Sequence, residues 1–88
     1  MASLLSADPT QEQIDLAKSQ EEKAMVNAFL RILSEQRLAA KGYNPRRIDG
    51  GFDENTRAAI KAFQKAHDIP EAGYLGANSI TQLLNDGG

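Results

Sequence analysis

Eighty-eight residues with a formal charge of −2, 41% of them hydrophobic and 25% charged, suffice for one small globular domain and not two. The absence of cysteine and the presence of a lone histidine, His67, exclude disulfide frameworks, thiol nucleophiles and zinc sites built from several thiolates or imidazoles. No run approaches the ~18 apolar residues that a membrane span requires, so none is expected.

Charge is unevenly spread: residues 1–30 carry a net −3, residues 31–65 a net +4 and residues 66–88 a net −3. A mildly basic middle between acidic ends is not the footprint of a nucleic-acid binder. The opening Met1-Ala2-Ser3-Leu4-Leu5-Ser6 lacks the charged and long apolar regions of a secretory signal. Residues 1–7 read as a loose leader. Asp8-Pro9 then looks like a helix start, with Asp8 as cap, Pro9 in the first helical position and Gln11 as box partner.

Residues 10–41 contain no glycine or proline. Their apolar positions Ile14, Ala17, Ala24, Ala28, Phe29, Ile32 and Leu33 recur near a helical period. One rod of that length is too long for so small a domain. The expectation is a polar N-terminal helix and a more hydrophobic second one, broken near residues 20–22, with Gly42 closing the second. The domain proper is therefore expected over 26–88, preceded by a leader and polar helix over 1–25.

Tyr43 to Phe52 reads as a loop, with Asn44-Pro45 and Gly50-Gly51 as turn chemistry. Asp53 can cap a helix through Thr56, Ala59, Ile60, Phe63 and His67, with Glu54 well placed in its first turn. Asp68-Ile69-Pro70 ends that helix, Ala72-Gly73 makes a further turn, and Gly76 opens a last helix carrying Ile80, Leu83 and Leu84. Nothing alternates as a strand does. A shift of 23 residues lays Gly50-Gly51-Phe52-Asp53-Glu54-Asn55-Thr56 over Gly73-Tyr74-Leu75-Gly76-Ala77-Asn78-Ser79, and Ile60 over Leu83. Each copy is a glycine turn, an apolar peg (Phe52 or Leu75) and a helix whose first turn holds a hydroxyl (Thr56 or Ser79) near unpaired amides. The fold class expected is all-α: a small three-helix bundle built from a repeated turn–helix unit, with an additional N-terminal helix.

Gly42-Tyr43, Ile48-Asp49-Gly50-Gly51-Phe52, Thr56, Ala62-Phe63-Gln64 and Ile69-Pro70 together resemble the helical peptidoglycan-binding domain of bacterial and phage cell-wall hydrolases. That pattern is Gly-Tyr, Asp-Gly-x-Phe-Gly-x-x-Thr, Phe-Gln, then a second Asp-Gly and x-x-Thr, and the resemblance covers residues 31–84. It implies a three-helix bundle of repeated turn–helix units, in agreement with the 23-residue echo. The chain departs from it in five places, one of them Ser79 where the pattern has its second Thr. The usual Leu-Gln of the first helix falls on Ser34-Glu35, which points to a shifted register there. Asp53 stands for the glycine after Phe, Ala72-Gly73 for the second Asp-Gly, and Asp68 for the glycine after the Phe-Gln helix.

Catalysis is not expected of this chain. His67 reads as a structural or helix-terminal histidine, and Asp49, Asp53 and Glu54 lack the ligand spacing of a calcium loop. No metal and no cofactor is expected. A receptor for cell-wall glycan or stem peptide needs amides and hydroxyls, an apolar platform and a cation for carboxylates. The loop before the Asp53 helix, and that helix's first turn, supply all three, so the candidate ligand residues are Tyr43, Asn44, Arg46, Arg47, Asp49, Asn55, Thr56 and Arg57. Structural roles fall to Gly42, Gly50, Phe52, Asp53, Ile60, Phe63, Gln64, Gly73, Leu75, Ser79 and Leu83.

With no tryptophan to stack on sugars, modest affinity is expected. Arg57, Lys61 and Lys65 make a basic helical stripe, read as a solvated face, so no nucleic-acid partner is expected. The resemblance implies a non-catalytic, monomeric peptidoglycan-binding module that tethers a fused or recruited hydrolase. The alternative is a protein–protein interaction domain on the same fold. Location follows as the cell envelope if the chain is exported, and otherwise a cytoplasmic or phage-borne origin.

Overall fold

The computed structural model describes residues 9–85. Four helices follow one another: α1 Gln11–Ala24, α2 Ala28–Ala40, α3 Glu54–Ala66 and α4 Ala77–Asn85, with no strand among the described residues. Helix α2 packs on both α3 and α4, while α1 lies against α4. No helix among them is long and apolar enough to cross a membrane.

The start of α1 differs from the sequence expectation. Thr10, not Asp8, is the cap: its hydroxyl accepts from the Gln13 amide at 3.1 Å, and the Gln13 side chain accepts from the Thr10 amide at 2.9 Å. This reciprocal box satisfies two amides at once; Pro9 precedes it, and Asp8 lies outside the described residues. The break between α1 and α2 also falls later than expected, over residues 25–27. Helix α1 closes at Met25, and Asn27 restarts the chain as the cap of α2, its side chain accepting from the Phe29 amide at 2.7 Å. That restart sets the phase of α2. Leu30, Ser34 and Leu38, four residues apart, face inward, and Phe29 is left 68% exposed rather than packed.

The core is Met25, Leu38, Ala59, Ile60, Phe63, Leu75 and Leu83, flanked by Ala24, Leu30, Tyr43, Phe52, Ile80 and Leu84. Fully burying one such Leu or Phe is worth about 1.5–3 kcal/mol. Met25 stands on the N-terminal side of residue 26, yet it belongs to this core.

Helices α2 and α3 end alike. The Tyr43 amide returns to Leu38 O at 2.8 Å and the Gly42 amide to Ala39 O at 3.0 Å, with Gly42 at φ +97°. After α3, the Ile69 amide returns to Gln64 O at 2.8 Å and the Asp68 amide to Lys65 O at 3.3 Å, with Asp68 at φ +57°. Both are left-handed closures that satisfy the last carbonyls, and they turn the chain sharply into the following loop. His67, the residue before Asp68, lays its ring 4.4 Å from that of Phe63.

Candidate functional site

Both glycines predicted to bend the repeats do so, Gly50 at φ +87° and Gly73 at φ +81°. Around the first turn, Glu35 of α2 is completely buried. One of its oxygens accepts from the Gly50 amide at 2.8 Å and the other from the Thr56 hydroxyl at 3.0 Å. Asp53 caps α3, accepting from the Thr56 amide at 3.0 Å. That amide bond, chiefly, holds the Asp53 carboxyl below its ordinary value against the opposing effect of desolvation, the next in size. The Thr56 hydroxyl, the Asn55 amide and the Arg47 charge act in the same direction. Arg31 ties the turn to the α1–α2 link, donating to Gly50 O at 2.8 Å and to Met25 O.

The second turn repeats this plan with different chemistry. Gln64 of α3 accepts from the Gly73 amide at 2.9 Å and donates to Tyr74 O at 2.8 Å and to the Ser79 hydroxyl oxygen at 2.9 Å. Glu35 and Gln64 are thus counterparts, each tying a glycine turn to the helix before it. The polar Ser34-Glu35 pair turns inward: Ser34 is buried and bonds Leu30 O at 2.8 Å.

The second turn is completed from outside its own repeat. Glu21 of α1, 6% exposed, accepts from the Leu75 amide at 2.7 Å and from Arg57 Nη1 at 2.6 Å through the same oxygen. The Arg57 guanidinium also donates to Gly73 O at 3.2 Å and lies over two rings, 4.3 Å from the centroid of Tyr74 and 5.3 Å from that of Phe52. Gln20 accepts from the Ala77 amide at 2.8 Å, which caps α4 from a distance. Gly76, the counterpart of Asp53, has no side chain for that role. A Cβ there would lie 3.0 Å from Gln20 Oε1 and 3.2 Å from Ala17 Cα, so α1 occupies the space a cap would need.

Of the eight predicted ligand residues, four come together. Tyr43, Asn44 and Arg46 face Asn55 of α3 across an open dent of about 370 Å³ floored by Ala58, Ala59 and Ala62. The Tyr43 ring is backed edge-on by Phe63 at 5.9 Å. Arg46 is held at φ +72°, its amide donating to the Asn44 side chain at 2.8 Å. A left-handed arginine costs on the order of 1 kcal/mol, and such strain concentrates at functional positions.

The other four lie elsewhere. Asp49 is exposed and accepts from the Gly51 amide at 3.0 Å within its own turn. Arg47 is exposed beside Asp53. Thr56 is fully buried in the Glu35 network, and Arg57 is engaged by α1.

Sequence reasoning missed Glu35, Glu21 and Gln20. A signal existed for two of them: Glu35 stands at the glutamine position of the family pattern, and Glu21 interrupts the apolar face of its helix. Among the described residues, no group of three His, Cys, Asp or Glu is placed to hold a metal ion.

A family model described as "Putative peptidoglycan binding domain" matches residues 31–83, from α2 through α4 and well over half of the chain. Comparison with curated proteins and with solved structures returned no match.

Proposed function

The chain belongs to the peptidoglycan-binding domain family, and from that premise we propose that it is a non-catalytic module holding a cell-wall hydrolase, fused or recruited, on its insoluble substrate. Weak attachment to the wall raises the effective concentration of the enzyme beside its bonds, so modest affinity is enough. The ligand groups of this reading are those at the dent. The Tyr43 ring and the alanine floor offer an apolar platform, Asn44 and Asn55 offer amides to hydroxyl-rich glycan, and Arg46 offers a cation to stem-peptide carboxylates.

The observation that carries this reading is the convergence of the three chemistries on one dent whose rim includes a backbone-strained arginine. Thr56, bound to Glu35 in the first turn, has no part in this ligand set. Retention on purified, protein-free sacculi tests the proposal. Arg46→Ala together with Asn55→Ala should reduce retention at least fivefold while helicity and thermal midpoint stay close to the parent's. Retention unchanged by that pair would move the ligand away from the dent.

Val26 and Phe29, 75% and 68% exposed, give weight to a second reading, a protein-interaction domain on the same fold. Loss of all sacculus binding, with specific capture of a hydrolase through those two side chains, would favour it.

A further inference from the structure

Resting on the wall-binding reading, we propose that Arg57 and the Leu75 amide form a carboxylate receptor which α1 fills in cis with Glu21, and that its outside ligand is a free carboxylate of a peptidoglycan stem peptide. Three observations lead there. Two donors from the family-matched part of the chain, a guanidinium and a backbone amide, converge on one carboxylate oxygen at 2.6 and 2.7 Å. The guanidinium is held in place independently of its anion, by the rings of Phe52 and Tyr74 and by Gly73 O. The occupant comes from outside the matched segment, on a helix with little apolar grip: Glu21 is the buried residue of α1, and Leu16 is 58% exposed.

An outside carboxylate replacing Glu21 exchanges like for like. Arg57 keeps its ion pair and Leu75 its acceptor, so the electrostatic balance of the receptor is unchanged. What decides occupancy is the competition between an incoming peptide and the local concentration of the tethered helix. Arg57, with its side chain 28% exposed, is reachable from solvent at the edge of this contact. The receptor lies apart from the dent, whose lining residues do not include Arg57.

The test titrates the isotope-labelled full chain with a soluble stem pentapeptide bearing free carboxylates, and with the same peptide fully amidated. Glu21→Ala should bind the acid form at least tenfold more tightly than the parent, with the Leu75 amide resonance shifting. The amidated form should gain less than twofold, and Arg57→Gln in the same background should remove the gain. Equal affinity for acid and amide in Glu21→Ala, or no gain over the parent, overturns the proposal.

Because Glu21→Ala can weaken the fold, a closed form provides a second arm. A Cβ at Gly76 would lie 3.2 Å from Ala17 Cβ, so a shift of α1 by a few tenths of an ångström brings the pair into the ~3.5–4.5 Å of a disulfide, and the chain has no cysteine of its own. Oxidised Ala17→Cys/Gly76→Cys should bind the acid peptide at least fivefold more weakly than its reduced form; no difference between the two overturns the proposal. Sacculus retention distinguishes the two levels. Retention by the parent that responds to none of these changes removes the receptor and leaves the wall reading standing. Absence of retention in every form removes the wall reading, on which the receptor rests.

Discussion

At the start of α3 the chain caps itself with Asp53. At the equivalent point of α4, 23 residues on, it has Gly76 and depends on Gln20 of α1. The first turn is tied to α2 by a buried carboxylate, Glu35, that meets only an amide and a hydroxyl. The second is tied to α3 by an amide side chain, Gln64, that must also donate to a carbonyl, and it needs Glu21 as well. A repeat legible as two equal copies is therefore unequal in what supports it: the first repeat closes on the family-matched segment, the second on an appended helix. The capping of α4 should follow α1, while that of α3 should not.

Exchange of the two tying residues tests this inequality most severely. Gln64→Glu sets a carboxylate oxygen against Tyr74 O and should cost about 2–3 kcal/mol, a fall in thermal midpoint on the order of 10 °C. Glu35→Gln reproduces the second turn's arrangement in the first, with the Thr56 hydroxyl turning to accept, and should stay within about 1 kcal/mol in urea unfolding. Equal losses would show that the two turns are interchangeable after all.

Next in size, Gln20→Ala removes the borrowed cap and should cost about 1 kcal/mol. Hydrogen exchange should quicken in the first turn of α4 and stay unchanged in that of α3; quickening in both would dissolve the distinction. A smaller effect concerns the helix exits. Asp68 occupies the left-handed position that Gly42 occupies after α2, so Asp68→Gly should raise stability by about 0.5 kcal/mol, part of the relief being offset by a freer unfolded chain.

The smallest effect is set by pH. The Asp53 carboxyl lies below the ordinary aspartate value of about 3.9. Its stabilising contribution is therefore fully present above that value and is lost as pH falls through the lower folded one. Asp53→Asn should flatten this acid-side loss in urea midpoints. The α4 cap, being a glutamine amide, should show no such dependence of its own.

What the sequence revealed was what is settled within a few residues. Asp53 and its Thr56 partner, Gly42 and the Asn44–Arg46 turn rest on bonds to near neighbours, and the left-handed Gly50 and Gly73 were legible from glycine's own freedom. The bonds that decide the site reach farther: Glu35 to Gly50 over 15 residues, Glu21 to Leu75 over 54 and Gln20 to Ala77 over 57. Periodicity cannot see such partners, because a polar residue on an inward face reads as a blemish in the pattern until its donor is located. Phe29 shows the converse, an apolar residue whose place depends on where Asn27 restarts the helix. Tyr43, Asn44, Arg46 and Asn55 were singled out by their side-chain chemistry, and the structure brings them to one dent. The floor of Ala58 and Ala62 was not, since a methyl group announces no chemistry.

The missing side chain at Gly76 bears on portability. A fragment cut at the family-matched boundaries and grafted onto another enzyme would travel with an open helix end and a bare guanidinium, and would be a poorer passenger than the intact chain. Aspartate at position 76, in a graft that omits the first helix, would supply the absent fastening from within and make the cassette self-sufficient.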